Sequence, residues 1–404
     1  MPRKYISPQN TKAIIDVAKM GWPLWMKLKG LDVEVVGSGL QRYEEVRDSR
    51  LMICPNHPSE TDAEVLFGLS RMVRDEFCFL TAHEIFHGSR GLNRELLPRL
   101  GCYSVERGTK DVAAFKTTRD ILISNHHKIV GFPEGEISHL NDVVMPLERG
   151  LIQMGFSAMD KLQSAVERRS VKILPVAVKY YLSSDVSKQI SQTLSQIENE
   201  FELCEIRSSS LADRAKRAML SAVSRLEIRF GMSVIPSTNL DIRMVNLRWA
   251  ILERVADRLG VCCPRFERQV DCAHMLQSLL CDIYFHGKVP VALAAIELRG
   301  LYRDLLTVID LIALEDSFVG KPFETISDEQ IWDIIRILRL ITFRKRVRPR
   351  KQTVLLMIGE PIVLYDFYDL YQSSRASAVS EAIKHLSNQL TSMLNELDNV
   401  FRSK

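Results

Sequence analysis

The chain has 404 residues, 46% of them hydrophobic and 26% charged, with a net charge of +4. This is globular composition, and it excludes a disordered, collagen-like or continuous coiled-coil chain. The charge excess is too small to point to nucleic acid, so any cationic surface is local. At roughly 100–200 residues per domain, the length predicts two or three domains, or one large domain with an insertion.

Eight cysteines without a C-x-x-C spacing predict free thiols in a reducing compartment, with neither a zinc ribbon nor a disulfide framework. Met1 to Lys12 holds no long apolar run, so no signal peptide is expected. The most apolar long stretch, Val289 to Leu314, is interrupted by Glu297, Arg299, Arg303, Asp304 and Asp310. A spanning helix needs about 20 mostly apolar residues, so any membrane contact is expected at the surface.

In chain order, Thr11 to Leu28 has helical periodicity, with Pro23 expected to bend or interrupt it. Trp22 and Trp25 lie among lysines there, a pattern that suits either an interfacial anchor or packing on the domain. Short apolar runs then alternate with helical patterns. Strands are predicted over Leu31–Val36, Arg50–Cys54, Phe77–Ala82, Ile129–Phe132 and Val171–Tyr180. Helices are predicted over Ala63–Val73, Val112–Ser124 and Gly155–Arg168. This alternation predicts an α/β fold with a mixed sheet flanked by helices. From about 185 to 350 the strands disappear. Helices are predicted from the Ser210 cap to Phe230, over Asn239–Leu259, Arg265–Tyr284 and Val291–Leu314, and after the capping-box spacing Ser327-Asp-Glu-Gln330. Strand character returns at Thr353–Ile358, and a last helix is predicted over Ala376–Leu397. The expected organisation is an α/β domain over 1–184, a large all-helical insertion over 185–351, and a final strand and helix of the first domain over 352–404.

The chemistry concentrates in the first part. Asn56-His57-Pro58-Ser59-Glu60-Thr61-Asp62 follows a predicted strand and opens a predicted helix. At such a junction His57 can face a substrate while Asp62, about one turn on, bonds its other nitrogen and fixes its tautomer, as a general base requires. Taken alone, the same pattern also describes a surface histidine beside a capping aspartate.

The order of four blocks resembles the glycerolipid acyltransferase family, which includes 1-acylglycerol-3-phosphate and glycerol-3-phosphate acyltransferases. Asn56, His57 and Asp62 resemble its N-H-x4-D block. Gly101-Cys-Tyr-Ser-Val-Glu-Arg107-Gly108 resembles its glycine–strand–arginine block. Phe132-Pro133-Glu134-Gly135-Glu-Ile-Ser138 fits five of the seven places of F-P-E-G-T-R-S, and Ile173-Leu-Pro175-Val-Ala-Val178 fits its apolar strand around a proline. Pro146 to Gly150 and Gly359-Glu-Pro-Ile362 resemble further family segments, the latter its last strand. The resemblance covers about 1–180 and 352–404. It departs at Glu136 and Ile137, which stand where threonine and arginine are usual, and this implies an acceptor other than plain lysophosphatidate. His83 stands near a position where many relatives carry lysine.

The resemblance implies transfer of a fatty acyl group from acyl-CoA or acyl-carrier protein to a hydroxyl of a lysolipid or glycerol-phosphate acceptor. His57 would be the base and Asp62 its partner. Arg107 would pair with acceptor phosphate, and Phe132, Pro133, Glu134 and Gly135 would shape the acceptor pocket. It implies no cofactor and no metal, work at a membrane surface from the cytoplasm, and no nucleic-acid partner. Two other readings exist. A non-catalytic lipid-binding or scaffolding protein could retain this fold. His83-Glu84-Ile85-Phe86-His87 is a literal H-E-x-x-H, the spacing of a zinc hydrolase. His126-His127-Lys128 is expected to be a solvated turn. Arg344 to Lys351, with six basic residues in eight, is expected to be a solvated linker or a patch for anionic lipid or an acidic carrier.

Overall fold

The computed structural model describes residues 5–87, 92–106, 111–163, 170–182, 186–203, 210–235, 239–263, 265, 268–286, 294–317, 326–343 and 351–403. The chain divides into two compact units, Tyr5–Tyr181 with Arg350–Lys404, and Leu182–Pro349.

The first unit is built on a mixed eight-stranded sheet: β1 (Leu31–Val35), β2 (Arg50–Pro55), β3 (Phe77–Ala82), β4 (Cys102–Val105), β5 (Lys128–Val130), β6 (Val171–Leu182), β7 (Gln352–Ile358) and β8 (Ile362–Val363). The order is β1-β7-β6-β2-β5-β3-β4, with β8 paired to β6. Strands β6, β2, β5, β3 and β4 are mutually parallel, from Arg50↔Val171 and Met52↔Ile129 across to Phe79↔Cys102. β1 and β7 are parallel to each other, and β8 is antiparallel to β6.

Parallel strands need helices on both faces. Around the sheet lie α1 (Lys12–Leu28), α2 (Gly39–Val46), α3 (Asp62–Met72), α4 (Leu92–Arg99), α5 (Val112–Ser124) and α6 (Gly150–Gln163). All six residues of β2 are buried. Alternation sends Leu51 and Ile53 into one core with Trp22, Met26, Leu66 and Leu69 of α1 and α3. Met52 and Cys54 enter the opposite core with Leu122, Ile152 and Phe156 of α5 and α6. The near-continuous apolar run of β2 is therefore what two covered faces demand.

Several details differ from the sequence reading. α1 runs through Pro23 without a break. Pro23 lies on the exposed side of the helix. Trp22 is buried against Gly68 and donates its indole N–H to the Glu64 carbonyl at 2.7 Å, so it is a packing residue; Trp25 is the exposed one. α6 begins at Gly150, five residues before the expected start. Gly359-Glu-Pro is the turn between β7 and the two-residue β8, so the strand proper is the apolar run before it.

The second unit contains α7 (Val186–Glu200), α8 (Leu211–Arg229), α9 (Leu240–Leu259), α10 (Gln269–His286), α11 (Ala295–Asp316) and α12 (Asp328–Phe343). Ser210 caps α8 by accepting from the Asp213 N–H, and Ser327 and Gln330 form a reciprocal capping box. Gly260 ends α9 at φ +68°, a left-handed position that glycine adopts without strain. Its interior also holds the Arg243–Glu227 ion pair at 2.6 Å, with both side chains buried. The chain closes in the first unit with α13 (Tyr368–Ser373) and α14 (Arg375–Arg402).

Candidate active site

The C-terminal ends of β2, β5 and β6 meet at one end of the sheet, where open parallel sheets place their ligands. β2 stops pairing at Pro55. The Asn56 side chain then continues the ladder, accepting from the Val178 N–H at 2.7 Å and donating to the Val178 carbonyl at 3.0 Å. This amide stands in for one more strand residue and sets where the chain leaves the sheet.

His57 follows immediately. Its Nδ1 lies 2.8 Å from Oδ2 of Asp62, which opens α3. The Ser59 N–H donates to the same oxygen at 2.8 Å. Asp62 has no exposed surface, so its charge depends on such donors and on the helix N-terminus. Its second oxygen, Oδ1, accepts from the Tyr180 hydroxyl of β6 at 2.5 Å. Tyr180 Oη in turn lies 2.9 Å from Thr61 Oγ1. Nδ1 is thus committed to Asp62, and Nε2 is the nitrogen left to face a substrate.

β5 leads into the turn Phe132-Pro133-Glu134-Gly135, closed by the Gly135 N–H on the Phe132 carbonyl at 3.1 Å. Proline presets its second position. Gly135 sits at φ +75°, and a Cβ there would lie 3.2 Å from Glu148 Cγ. The Phe132 ring stacks on the His57 imidazole, centroids 3.9 Å apart. Pro133 is buried and accepts from the Glu148 N–H at 2.6 Å.

Glu134 points inward. Only 4% of it is exposed, and it accepts from the His57 N–H at 2.7 Å and the Met145 N–H at 3.4 Å. Burial pushes its carboxyl up to about 8, against the pull of those two main-chain donors. The sequence reading gave Glu134 to the acceptor pocket; here its carboxyl accepts from the main-chain N–H groups of His57 and Met145. The His57 carbonyl accepts from the Ser138 N–H at 2.9 Å and from Ser138 Oγ at 3.2 Å. The His57 peptide is therefore held at both ends, and its ring by Asp62 and Phe132.

The structure thus gathers His57, Asp62, Phe132, Pro133, Glu134 and Gly135. Arg107 and Gly108 lie outside the described residues, as do residues 344–350 of the basic run. His83–His87 forms a 3-10 turn after β3, with His83 buried. Three residues per turn do not stack positions i and i+4, so this segment lacks the α-helical face that the zinc spacing presupposes. The side chains of Glu84 and His87 lie outside the described residues. Among the described residues no three or more His, Cys, Asp and Glu gather as a metal set. His126 and His127 precede β5, at the strand end opposite Phe132, with His127 3.7 Å from Glu76. Sequence reasoning missed Tyr180 and Asn141 as parts of the site, and took Ser138 only as a motif position. Asn141 pairs with both main-chain groups of Tyr180, at 2.7 and 3.0 Å.

The site is thus a histidine–aspartate pair at the C-terminal edge of parallel strands, braced by a Phe-Pro-Glu-Gly turn. Residues 37–179 match the family model described as Acyltransferase, and this part of the chain is a glycerolipid acyltransferase family domain. That domain supports acyltransferase activity in general. No curated protein matches the chain.

Proposed function

We propose that the protein moves a fatty acyl group from a thioester, acyl-CoA or acyl-carrier protein, to a hydroxyl of a glycerophospholipid precursor. The observation that carries this reading is the commitment of His57 Nδ1 to the buried Asp62. Nε2 then takes the proton of the acceptor hydroxyl as its oxygen attacks the thioester carbonyl. The C–S bond breaks, and the departing thiolate recovers the proton from the imidazolium. Holding both substrates together makes the attack effectively unimolecular, so no acyl-enzyme is required. The thioester is already activated and thiolate leaves readily, so the reading asks for no metal or cofactor. Arg107 is assigned to an acceptor phosphate, a bidentate task that suits guanidinium.

The reading places the enzyme on the cytoplasmic face of a membrane. α1 supports this. Ile15, Trp22 and Met26 are buried, while Val17, Met20, Leu24 and Leu28 on the other side are 64–81% exposed. A helix apolar on both faces, with Lys12 and Lys27 exposed beside the outer stripe, suits the boundary of an anionic bilayer. No described helix is long and apolar enough to cross one.

The test is a labelled-acyl assay with acyl-CoA and acyl-carrier protein against phosphorylated and unphosphorylated glycerolipid acceptors. His57→Ala should remove roughly 10²–10⁴-fold of the rate, and Asp62→Asn less. A folded His57→Ala protein turning over near the wild-type rate refutes the base. Loss of wild-type activity on chelation refutes the metal-free chemistry.

A further inference from the structure

Asp62 is the contact through which the base is oriented, and what orients Asp62 comes from a different element. Its carboxylate has no exposed surface. Oδ2 takes the imidazole and the Ser59 N–H, both from its own turn. Oδ1 takes the Tyr180 hydroxyl, which arrives from β6, 118 positions along the chain. Tyr180 is itself 1% exposed and doubly fixed. Its hydroxyl meets Thr61 Oγ1, which meets Ser59 Oγ at 3.1 Å, and its peptide is clamped by the Asn141 side chain. Burial and the neighbouring carboxylate hold the phenol well above its ordinary pKa, so it remains a donor.

We infer that Tyr180 is a positioning residue for acyl transfer, the outer member of a Tyr180–Asp62–His57 chain. This rests on the proposal that His57 is the base. A residue that merely filled the core at this point would need no hydroxyl, and phenylalanine would serve. With a hydroxyl, the buried carboxylate has donors on both oxygens and one preferred rotation. Without it, Oδ1 is a buried charged acceptor lacking a donor, and the carboxylate is free to turn away from Nδ1. A buried charged group left without one partner makes a difference of tenfold to a hundredfold in an equilibrium. The same range is expected in kcat. Donor and acceptor KM should stay near wild type, because Tyr180 sits behind Asp62 and touches neither substrate.

The experiment compares wild type, Tyr180→Phe, Asp62→Ala, His57→Ala and the Tyr180→Phe/Asp62→Ala double variant, with folding checked by circular dichroism and melting. Expected is a tenfold to hundredfold drop in kcat for Tyr180→Phe, unchanged KM values, and no further loss when the change is made in Asp62→Ala. Thr61→Val, which removes the second partner of the phenol, should show a smaller loss, equally absent in Asp62→Ala, and serves if Tyr180→Phe is unstable. A substrate-free readout accompanies these. In protein with ¹⁵N-labelled histidine, the His57 ring shifts report the proton on Nδ1 and should move in both Tyr180→Phe and Asp62→Ala. The proposal is overturned if Tyr180→Phe stays within twofold of wild type while His57→Ala is inactive. It is also overturned if the Tyr180 loss persists in Asp62→Ala, or if the His57 shifts ignore Tyr180→Phe. Activity in His57→Ala instead refutes the reading of the base, whatever Tyr180 does.

Discussion

Replacing Glu134 with glutamine tests the buried carboxyl directly. In the folded protein this group is pushed from 4.5 to about 8. Below about pH 4.5 both folded and unfolded chains hold the proton, and the group contributes nothing to pH dependence. Between about 4.5 and 8 the unfolded chain releases it while the folded chain keeps it, so stability falls as pH rises. Above about 8 both are ionised and the loss levels off. At 1.36 kcal/mol per pKa unit, the gap of about 3.5 units is an upper bound of about 5 kcal/mol between the two plateaus. Glutamine keeps an acceptor for the His57 N–H and cannot ionise. Urea unfolding of both proteins at several pH values from 4 to 9 should therefore show a descending curve for wild type minus Glu134→Gln, with its steepest part below pH 8. Parallel curves would refute the reasoning, because they would mean that the carboxyl ionises equally in both states. The Met145 N–H, 3.4 Å from Oε2, is the contact that glutamine weakens, and it sets a constant offset without a slope.

Gly68→Ala places a Cβ 2.0 Å from Trp22 Cζ2, inside an indole fixed by its bond to Glu64. Overpacking of about 1–3 kcal/mol outweighs the helix-propensity gain of about 1 kcal/mol, so the melting temperature should fall. Arg107→Lys should raise the acceptor KM and leave the donor KM near wild type; equal effects on both would make the arginine structural. Met20→Glu with Leu24→Glu should abolish co-flotation with vesicles containing phosphatidylglycerol while leaving the melting temperature near wild type, since both side chains are largely exposed. Unchanged flotation would remove α1 from the membrane reading.

The parts of the fold legible in the sequence were those with a strong local period. β3 and α5 fall at their expected bounds because Phe77–Ala82 is a clean apolar run and Asp111 caps Val112–Ser124. α2 and α4 gave no such signal, being eight residues each and largely polar. In the site, His57 and Asp62 were readable because five positions of one chain segment bring them together. Tyr180 was not, since in β6 it is one more side chain of a run buried almost throughout, and its bond to Asp62 exists only once β2 and β6 are in register. Glu134 was legible as a motif residue but not in direction. The turn that Gly135 permits carries its carboxylate under His57, and nothing in a linear pattern tells inward from outward.

The end of β6 has a mechanical meaning. Lys179 is buried and bridges Asp142 at 2.6 Å and Asp398 of α14 at 2.7 Å. Tyr181 stacks on Phe401 and bonds Asp398. Tyr180, between them, points the other way into Asp62 and Thr61. Three consecutive residues are thus bolted alternately to opposite sides of the sheet, immediately before the chain enters the second unit at Leu182. A double ion pair on one side of Tyr180 in the chain and a stacked ring on the other anchor the strand end that carries the phenol within its own unit.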